Sequence, residues 1–450
     1  MSELIRNLLD NKNYAELKSV LSDINPADLV DYLEELPQNH LLLVFRILPK
    51  ELAAETFVEM DSDMQMLLIS SFSDRELRDM LDELFVDDAV DIIEEMPASV
   101  AKRILKQANP QTRKEINQIL AYPDDSAGSI MTTEYIDLKK DMLVKDAFER
   151  IRKIGVDKET IYTAYVTDMR RKLIGVVTAK DLLLSEISQS LEEIMEENII
   201  SVHTTDLKET VIQLFDKYDV LALPVVDAED RLIGIITVDD VIDVLQEEAT
   251  EDIEKMAAIA PTNKTYLKTG IFETVKARIP WLIFLMLTAT FTGWIITAFE
   301  SALAVQAALI AFIPMIMNTG GNSGSQSSVT VIRALSLGDV EFKDTLRVFF
   351  KEFRVSIICG IVLAIANFLK IMLLDNLVLS SNITYAIAFV VSITLVATVV
   401  FAKVIGCLLP IAAKKIGLDP TVMASPFITT LVDTVSLLIY FTIASLVLSL

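Results

Sequence analysis

From Glu3 to Leu120 apolar residues recur at intervals of three and four, as in Leu29, Val30, Leu33 and Leu36, and again in Ala89, Val90, Ile92, Ile93 and Met96. That spacing paints one face of a short amphipathic helix, repeatedly. The phrases DYLEELP at 31–37 and DIIEEMP at 91–97 echo each other, with RILP at 46–49 between them. Proline after each run reads as a helix stop. Residues 1–128 are therefore expected to be all-α, a small solenoid of stacked helix pairs. From Ser129 the period changes. IMTTEYIDLKKDMLVKDAFERI (130–151) returns as IMEENIISVHTTDLKETVIQLF (194–215), and RKLIGVVTAKDLLL (171–184) returns as DRLIGIITVDDVID (230–243). Each copy, 129–190 and 191–246, predicts strand, helix, strand, strand, helix, with Val225-Val226 and Ile233-Gly234-Ile235-Ile236 as β-branched runs. Residues 247–270 predict a long polar helix and a loop.

The pattern changes once more after 270. Apolar stretches cover 281–299, 305–332, 355–374, 385–411 and 421–448, each near the roughly 20 residues that a spanning helix needs. Residues 271–450 thus predict a five-helix transmembrane domain. With the N-terminus inside, the inner flanks collect Lys264, Lys268, Lys276 and Arg278, then Arg333, Lys343, Arg347, Lys351 and Arg354, then Lys414 and Lys415. The outer segments near Glu300 and at 375–384 hold no Lys or Arg, which agrees with positive-inside orientation and puts the C-terminus outside. No basic-then-apolar leader precedes Leu4, so the first 270 residues are expected in the cytosol.

Charge follows the same division. The net −24 separates into 29 Lys+Arg against 55 Asp+Glu in residues 1–270, and 11 against 9 in 271–450. An acidic half of this kind excludes nucleic acid as a partner and suits hard divalent cations, whose preferred ligands are carboxylate oxygens. Most of these carboxylates are also what a soluble helix surface carries. Cys359 and Cys407 sit in apolar runs, and His40 and His203 lie far apart, so neither thiolate nor imidazole chemistry is indicated. Nothing resembles a nucleophile–base pair or a phosphate loop, and an enzyme is the least favoured class.

Two spans are chemically unlike ordinary apolar helices. The second contains PMIMNTGGNSGSQSS (314–328), whose amides and hydroxyls supply uncharged oxygen ligands and whose glycines allow a broken or closely approached backbone; helix packing through small residues is the alternative. The fifth contains Asp433 in FITTLVDTVSLLIYF. A mid-membrane carboxylate costs about 2.5–3.5 kcal/mol on insertion scales and marks an ion path by default. Pairing with Lys403 or Arg333 is the bland alternative, while Thr429, Thr430 and Thr434 add oxygens in favour of a path.

The duplicated unit resembles a pair of CBS domains, an α/β regulatory module, through Gly175, Thr178 and Asp181 in one copy and Gly234, Thr237 and Asp240 in the other. The resemblance implies that Thr178 with Asp181, and Thr237 with Asp240, can hold the ribose of a nucleotide such as ATP; as local chemistry the same residues are good helix caps. The order of helical repeats, CBS pair, EEATEDI, RIPWL, PMIMNTGGNSGSQ and SPFITTLVD resembles the MgtE family of magnesium channels along nearly the whole chain. That resemblance implies a homodimer in the inner membrane, with lipid around it and a pore lined by the second and fifth spans. Asp433 matches the central pore carboxylate for hydrated Mg²⁺, and Asn318, Gly321, Asn322 and Thr429 match other pore positions. Ser325 stands where some members carry asparagine. Regulatory Mg²⁺ sites fall on Asp87 and Asp91, on Asp219, Asp240 and Asp243, and on Glu248, Glu251 and Asp252 of the connecting helix. Asp216 replaces an alanine of some members and adds a carboxylate. The implied activity is Mg²⁺ import, closed by cytosolic Mg²⁺ bound to these acidic regions. The rivals are a nucleotide-regulated secondary divalent cation transporter and a CBS-regulated anion channel, the latter disfavoured by Asp433.

Overall fold

The computed structural model describes residues 2–262, 266–267, 269–300, 306–378 and 383–448. Lys264, Lys268, Val305 and residues 379–382, used above to place flanks and spans, lie outside the described residues. The chain divides into two compact units, Met1–Val244 and Leu245–Leu450.

In the first unit ten helices of eight to ten residues run from Ser2–Asp10 to Pro110–Ile119. The expected apolar positions do bury: Leu29, Val30, Leu33, Leu36, Ala89, Val90, Ile92, Ile93 and Met96 all belong to one core. The helices stop before their prolines, at Glu34 ahead of Pro37 and at Glu95 ahead of Pro97, and the prolines have a second use. Pro37, Pro49 and Pro97 are N-caps of the next helix, and Pro26 and Pro110 occupy its first turn. A ring that fixes φ and lacks an N–H suits a helix start, where that donor would have no partner. Asn25 and Asn109 complete two of these starts by accepting from the amides of Ala27 and Gln111 at 3.0 Å.

The duplicated segment forms two three-stranded sheets, β1 (Ile136–Lys139), β2 (Thr163–Thr167) and β3 (Leu173–Thr178), then β4 (Val202–His203), β5 (Ala222–Val226) and β6 (Leu232–Thr237). Each pairs its first two strands parallel and its last two antiparallel. The copies clasp reciprocally. Leu173 N donates to Asp230 O and Leu232 N to Arg171 O, both at 3.0 Å, and Arg171 and Asp230 hold φ of 66° and 59° at equivalent turns. Thr132 exchanges bonds with Ile235 in β6, and Glu196 with Val176 in β3, so the lead-in of each copy joins the other copy's sheet. Val202, Phe215, Leu223, Val225, Ile236 and Val241 of the second copy share the core of the helical repeats.

The second unit holds helices Ile271–Ala298, Ile313–Ser336, Thr345–Lys370, Tyr385–Lys415 and Ser425–Leu448. Four segments are long and apolar enough to cross a membrane: Ile271–Ala298, Phe342–Val378, Tyr385–Lys415 and Pro420–Leu448. Ile313–Ser336 fills the place of the second expected span, and its run of Asn, Gly, Ser and Gln lowers its hydropathy below theirs. It is one unbroken helix despite its glycines. Those glycines serve close approach: a Cβ on Gly406 would sit 2.3 Å from the Gly324 carbonyl oxygen, so Ile313–Ser336 and Tyr385–Lys415 touch backbone to backbone.

Candidate functional site

Ile313–Ser336 has two faces. Ile316, Gly320, Ser323, Gly324, Ser327, Ser328 and Val331 are buried, while Asn318, Asn322, Gln326, Thr330 and Arg333 form an exposed polar stripe at helical spacing. Asn322 Nδ2 donates to Asn318 Oδ1 at 2.9 Å, one turn away on that stripe. Ser325 is half-buried at its border. Gly321 stands where the helix meets Ser425–Leu448: a Cβ there would lie 2.7 Å from Thr429 Cγ2 and 3.5 Å from Asp433 Oδ1. Glycine thus leaves the carboxylate room. Asp433 Oδ1 is buried and has no hydrogen-bond partner.

The bland pairing is not made. Lys403 Nζ donates to Ser327 Oγ at 3.4 Å instead, and Arg333 is exposed towards the helix's C-terminal end. Two threonines depart from their expected role. Thr430 Oγ1 and Thr434 Oγ1 donate to the carbonyls of Pro426 and Thr430 at 3.0 Å, as hydroxyls on apolar helices do. Both line an apolar cavity of about 210 Å³ with Phe284, Leu285, Phe291 and Phe427, which faces the first spanning helix rather than Gly321. Only Thr429 stays beside Asp433 and Gly321.

The acidic half gathers a second group. Helix Val86–Glu95 carries Asp87, Asp88 and Asp91, and Asp239 and Asp240 open helix Val238–Met256. Asp87 is 7% exposed, and its Oδ1 is buried without a partner, as is Glu159 Oε2. Burial, then the Asp240 charge, pushes Asp87 well above the usual carboxylate range. The same causes raise Asp88 and Asp91 to about 7 and Glu159 to about 8. Asp240 rises to about 6, burial outweighing its bond from Thr237. Glu134 is raised by burial although Val86 N donates to its Oε2 at 3.0 Å. Asp243 is raised by burial and Asp239.

The Asp240 charge therefore bears on both Asp87 and Asp91. Asp216 and Asp219 are exposed, and Asp219 ends helix Lys208–Tyr218 at φ 50°. Glu248, Glu251 and Asp252 lie in the second unit, where Lys255 pairs with Glu251 and with Asp419 Oδ2 at 2.7 Å. Among the described residues no three His, Cys, Asp or Glu side chains converge tightly enough to hold a metal ion. Sequence reasoning missed Asp88, Glu134, Glu159 and Asp239. The doubled aspartates 87–88 and 239–240 were a usable signal, but Glu134 and Glu159 arrive by tertiary folding alone.

Of the nucleotide candidates, Thr178 caps its helix, and both threonines bond to their aspartates. Thr178 Oγ1 donates to Asp181 Oδ2 and Thr237 Oγ1 to Asp240 Oδ2, each at 2.6 Å, and Asp181 N donates back to Thr178 Oγ1 at 3.2 Å.

Comparison with known proteins agrees with this layout. Residues 24–125 match the model of the MgtE intracellular N domain, 127–187 and 191–247 the CBS domain, and 313–443 the MgtE divalent cation transporter. The magnesium transporter MgtE of Thermus thermophilus is 36% identical over 448 residues, covering 99% of this chain and 98% of its own length. The chain belongs to the MgtE family. The MgtE of Bacillus subtilis is 32% identical over 438 residues, 97% of this chain and 95% of its own length. Among solved structures, the cytosolic domain of the Mg²⁺ channel MgtE in complex with ATP is 34% identical, with a TM-score of 0.52, covering 54% of this chain and all of that one. The soluble part of a magnesium transporter is 30% identical, with a TM-score of 0.53, covering 55% and 98%. MgtE proteins are membrane transporters, and the apolar helices of the second unit fit that.

Proposed function

We propose that this chain is a Mg²⁺-selective channel of the cytoplasmic membrane that imports Mg²⁺ and is closed by Mg²⁺ bound on its cytosolic side. The observation that carries the reading is Asp433: a carboxylate among spanning helices whose buried Oδ1 meets no donor and faces Gly321. An acceptor kept without a donor costs about 1–3 kcal/mol or more, and a cation supplies what is missing. Mg²⁺ sheds water reluctantly, so Asp433, Asn318, Gly321, Asn322, Ser325 and Thr429 hold it through its water shell. Ile313–Ser336, with 24 residues, is about 36 Å long and serves as the fifth span. Its polar stripe requires water or a partner rather than lipid, which a homodimer with the path on its two-fold axis provides. Lys276, Arg278, Lys343, Arg347, Lys414 and Lys415 mark the cytosolic side, with the N-terminus inside and the C-terminus outside.

Closure falls to the acidic half. Asp87, Asp91, Asp240 and Asp243, joined by Asp88 and Glu159, repel one another without a cation, and Mg²⁺ that binds the compact arrangement more tightly shifts the population towards it. Glu248, Glu251 and Asp252 on the connecting helix, with Asp216 and Asp219, complete the sensing set. ATP at Thr237 and Asp240, suggested by the ATP complex of a related cytosolic domain, supports a second reading in which nucleotide tunes the response. The deciding experiment is Mg²⁺ influx into proteoliposomes. Asp433→Asn, which removes charge and keeps shape, is expected to lower influx at least a hundredfold in a folded dimer. Wild-type influx through that variant would sink the reading.

A further inference from the structure

Behind the proposed path, three polar side chains from three helices meet inside the second unit. Lys403 on Tyr385–Lys415 is 6% exposed and Ser327 on Ile313–Ser336 is 2% exposed. Lys403 Nζ donates to Ser327 Oγ at 3.4 Å, and Ser327 Oγ donates to Glu352 Oε2, on Thr345–Lys370, at 2.5 Å. Among the described residues Lys403 makes no direct salt bridge, so the ammonium reaches its counter-charge through one hydroxyl. Ser327 follows Asn318 by nine residues, about half a turn out of phase at 100° per residue, which puts the pair on the face opposite the polar stripe.

A buried ammonium is expensive, and a hydrophobic side chain of similar length would fill its place without that cost. The geometry points to a reason for both charges: we propose that Glu352 neutralises Lys403 at the back of the pore-lining helix, so that the ammonium does not repel a cation moving along the front. The idea rests on the path proposed above. Repulsion by one fixed charge doubles for a divalent ion, and low-dielectric walls prolong its reach. Glu352 is thus a positioning residue for charge balance that never touches the ion. A merely mechanical strut makes a different forecast, because every loss from it accumulates.

The test is a double-mutant cycle on Mg²⁺ influx in proteoliposomes, normalised to folded dimer. Glu352→Gln leaves the ammonium unopposed and is expected to lower influx at least fivefold. Lys403→Met leaves the carboxylate alone and is expected to raise influx above wild type. The double variant, neutral again, is expected to regain at least half of the logarithmic loss seen with Glu352→Gln. A loss under fivefold in Glu352→Gln, a fall below wild type in Lys403→Met, or a double variant that recovers less than half overturns the proposal. Should Glu352→Gln fail to fold, the sign of the Lys403→Met effect decides alone. The path is judged separately: if Asp433→Asn abolishes influx while the cycle fails, the path stands and the charge balance does not.

Discussion

Asp87 and Asp433 each have a buried carboxylate oxygen that no hydrogen bond reaches, yet their surroundings differ in kind. Asp87 sits among Asp240, Asp88, Glu159 and Glu134, whose charges add to the cost of burial. Among the described residues Asp433 makes no ion pair, and Gly321 and Thr429 stand beside it. The first arrangement stores repulsion that a proton or a cation relieves, so it responds to concentration. The second, on the proposed reading, offers one fixed charge to a passing cation. A sensor profits from many coupled carboxylates, and a path from a single one, since several unpartnered charges inside spanning helices would compound the insertion cost.

The contrast can be broken most severely in the membrane unit. Gly406→Val puts carbon where Gly324 has its carbonyl, and overpacking at a backbone contact should cost more than about 3 kcal/mol. The expected outcome is aggregated rather than monodisperse protein by size-exclusion chromatography; a wild-type profile would show that the two helices can separate. The acidic unit should instead respond to pH. Its carboxylates have folded-state values raised to about 6–8, so the folded state holds more protons than the unfolded chain between roughly pH 4 and 8. Stability is therefore greater at pH 6 and lost as pH rises towards 8, by on the order of 2 kcal/mol. Calorimetry of the full-length protein in detergent without Mg²⁺ checks the sign, and added Mg²⁺ should reduce the difference by favouring the ionised groups. A melting temperature that climbs with pH would contradict the burial of these groups.

Asp87→Asn sharpens the comparison further. Removing one repelled charge is expected to stabilise the Mg²⁺-free first unit by about 1–3 kcal/mol while weakening stabilisation by Mg²⁺. The same measurement reads both, and destabilisation without Mg²⁺ would mean that the carboxylate has a partner. The smallest expected effect is at Thr178→Val, which deletes a cap worth about 1 kcal/mol at a helix start outside the acidic cluster. The Mg²⁺ dependence of closure in a flux assay should stay as in wild type, and a shift there would assign that cap a role in gating.

Much of this was legible in the chain because local chemistry wrote it. The three-and-four spacing of Leu29, Val30 and Leu33 buried as read, and the duplicated phrases became duplicated sheets. The doubled phrases said nothing of the exchange between copies, because the bond of Thr132 to Ile235 spans a hundred residues. Asp433 stood out by its cost alone. Thr430 and Thr434 were misjudged because a sequence shows a hydroxyl and not the carbonyl four residues back that it satisfies. Glu134 and Glu159 were invisible, since only folding brings them to helix Val86–Glu95, and the prolines that stop one helix also open the next, which a stop signal alone does not reveal.

The polar stripe of Ile313–Ser336 also bears on how the chain is made. A nascent helix carrying Asn318, Asn322, Gln326, Thr330 and Arg333 gains little by entering lipid alone. The helix against which its glycines fit, Tyr385–Lys415, emerges from the ribosome only later. During synthesis the segment must therefore wait, held by the insertion machinery or by the first span, until its packing partner arrives. The order of translation thus becomes a condition of assembly: biogenesis of Ile313–Ser336 is coupled to a helix that follows it in the chain, Tyr385–Lys415.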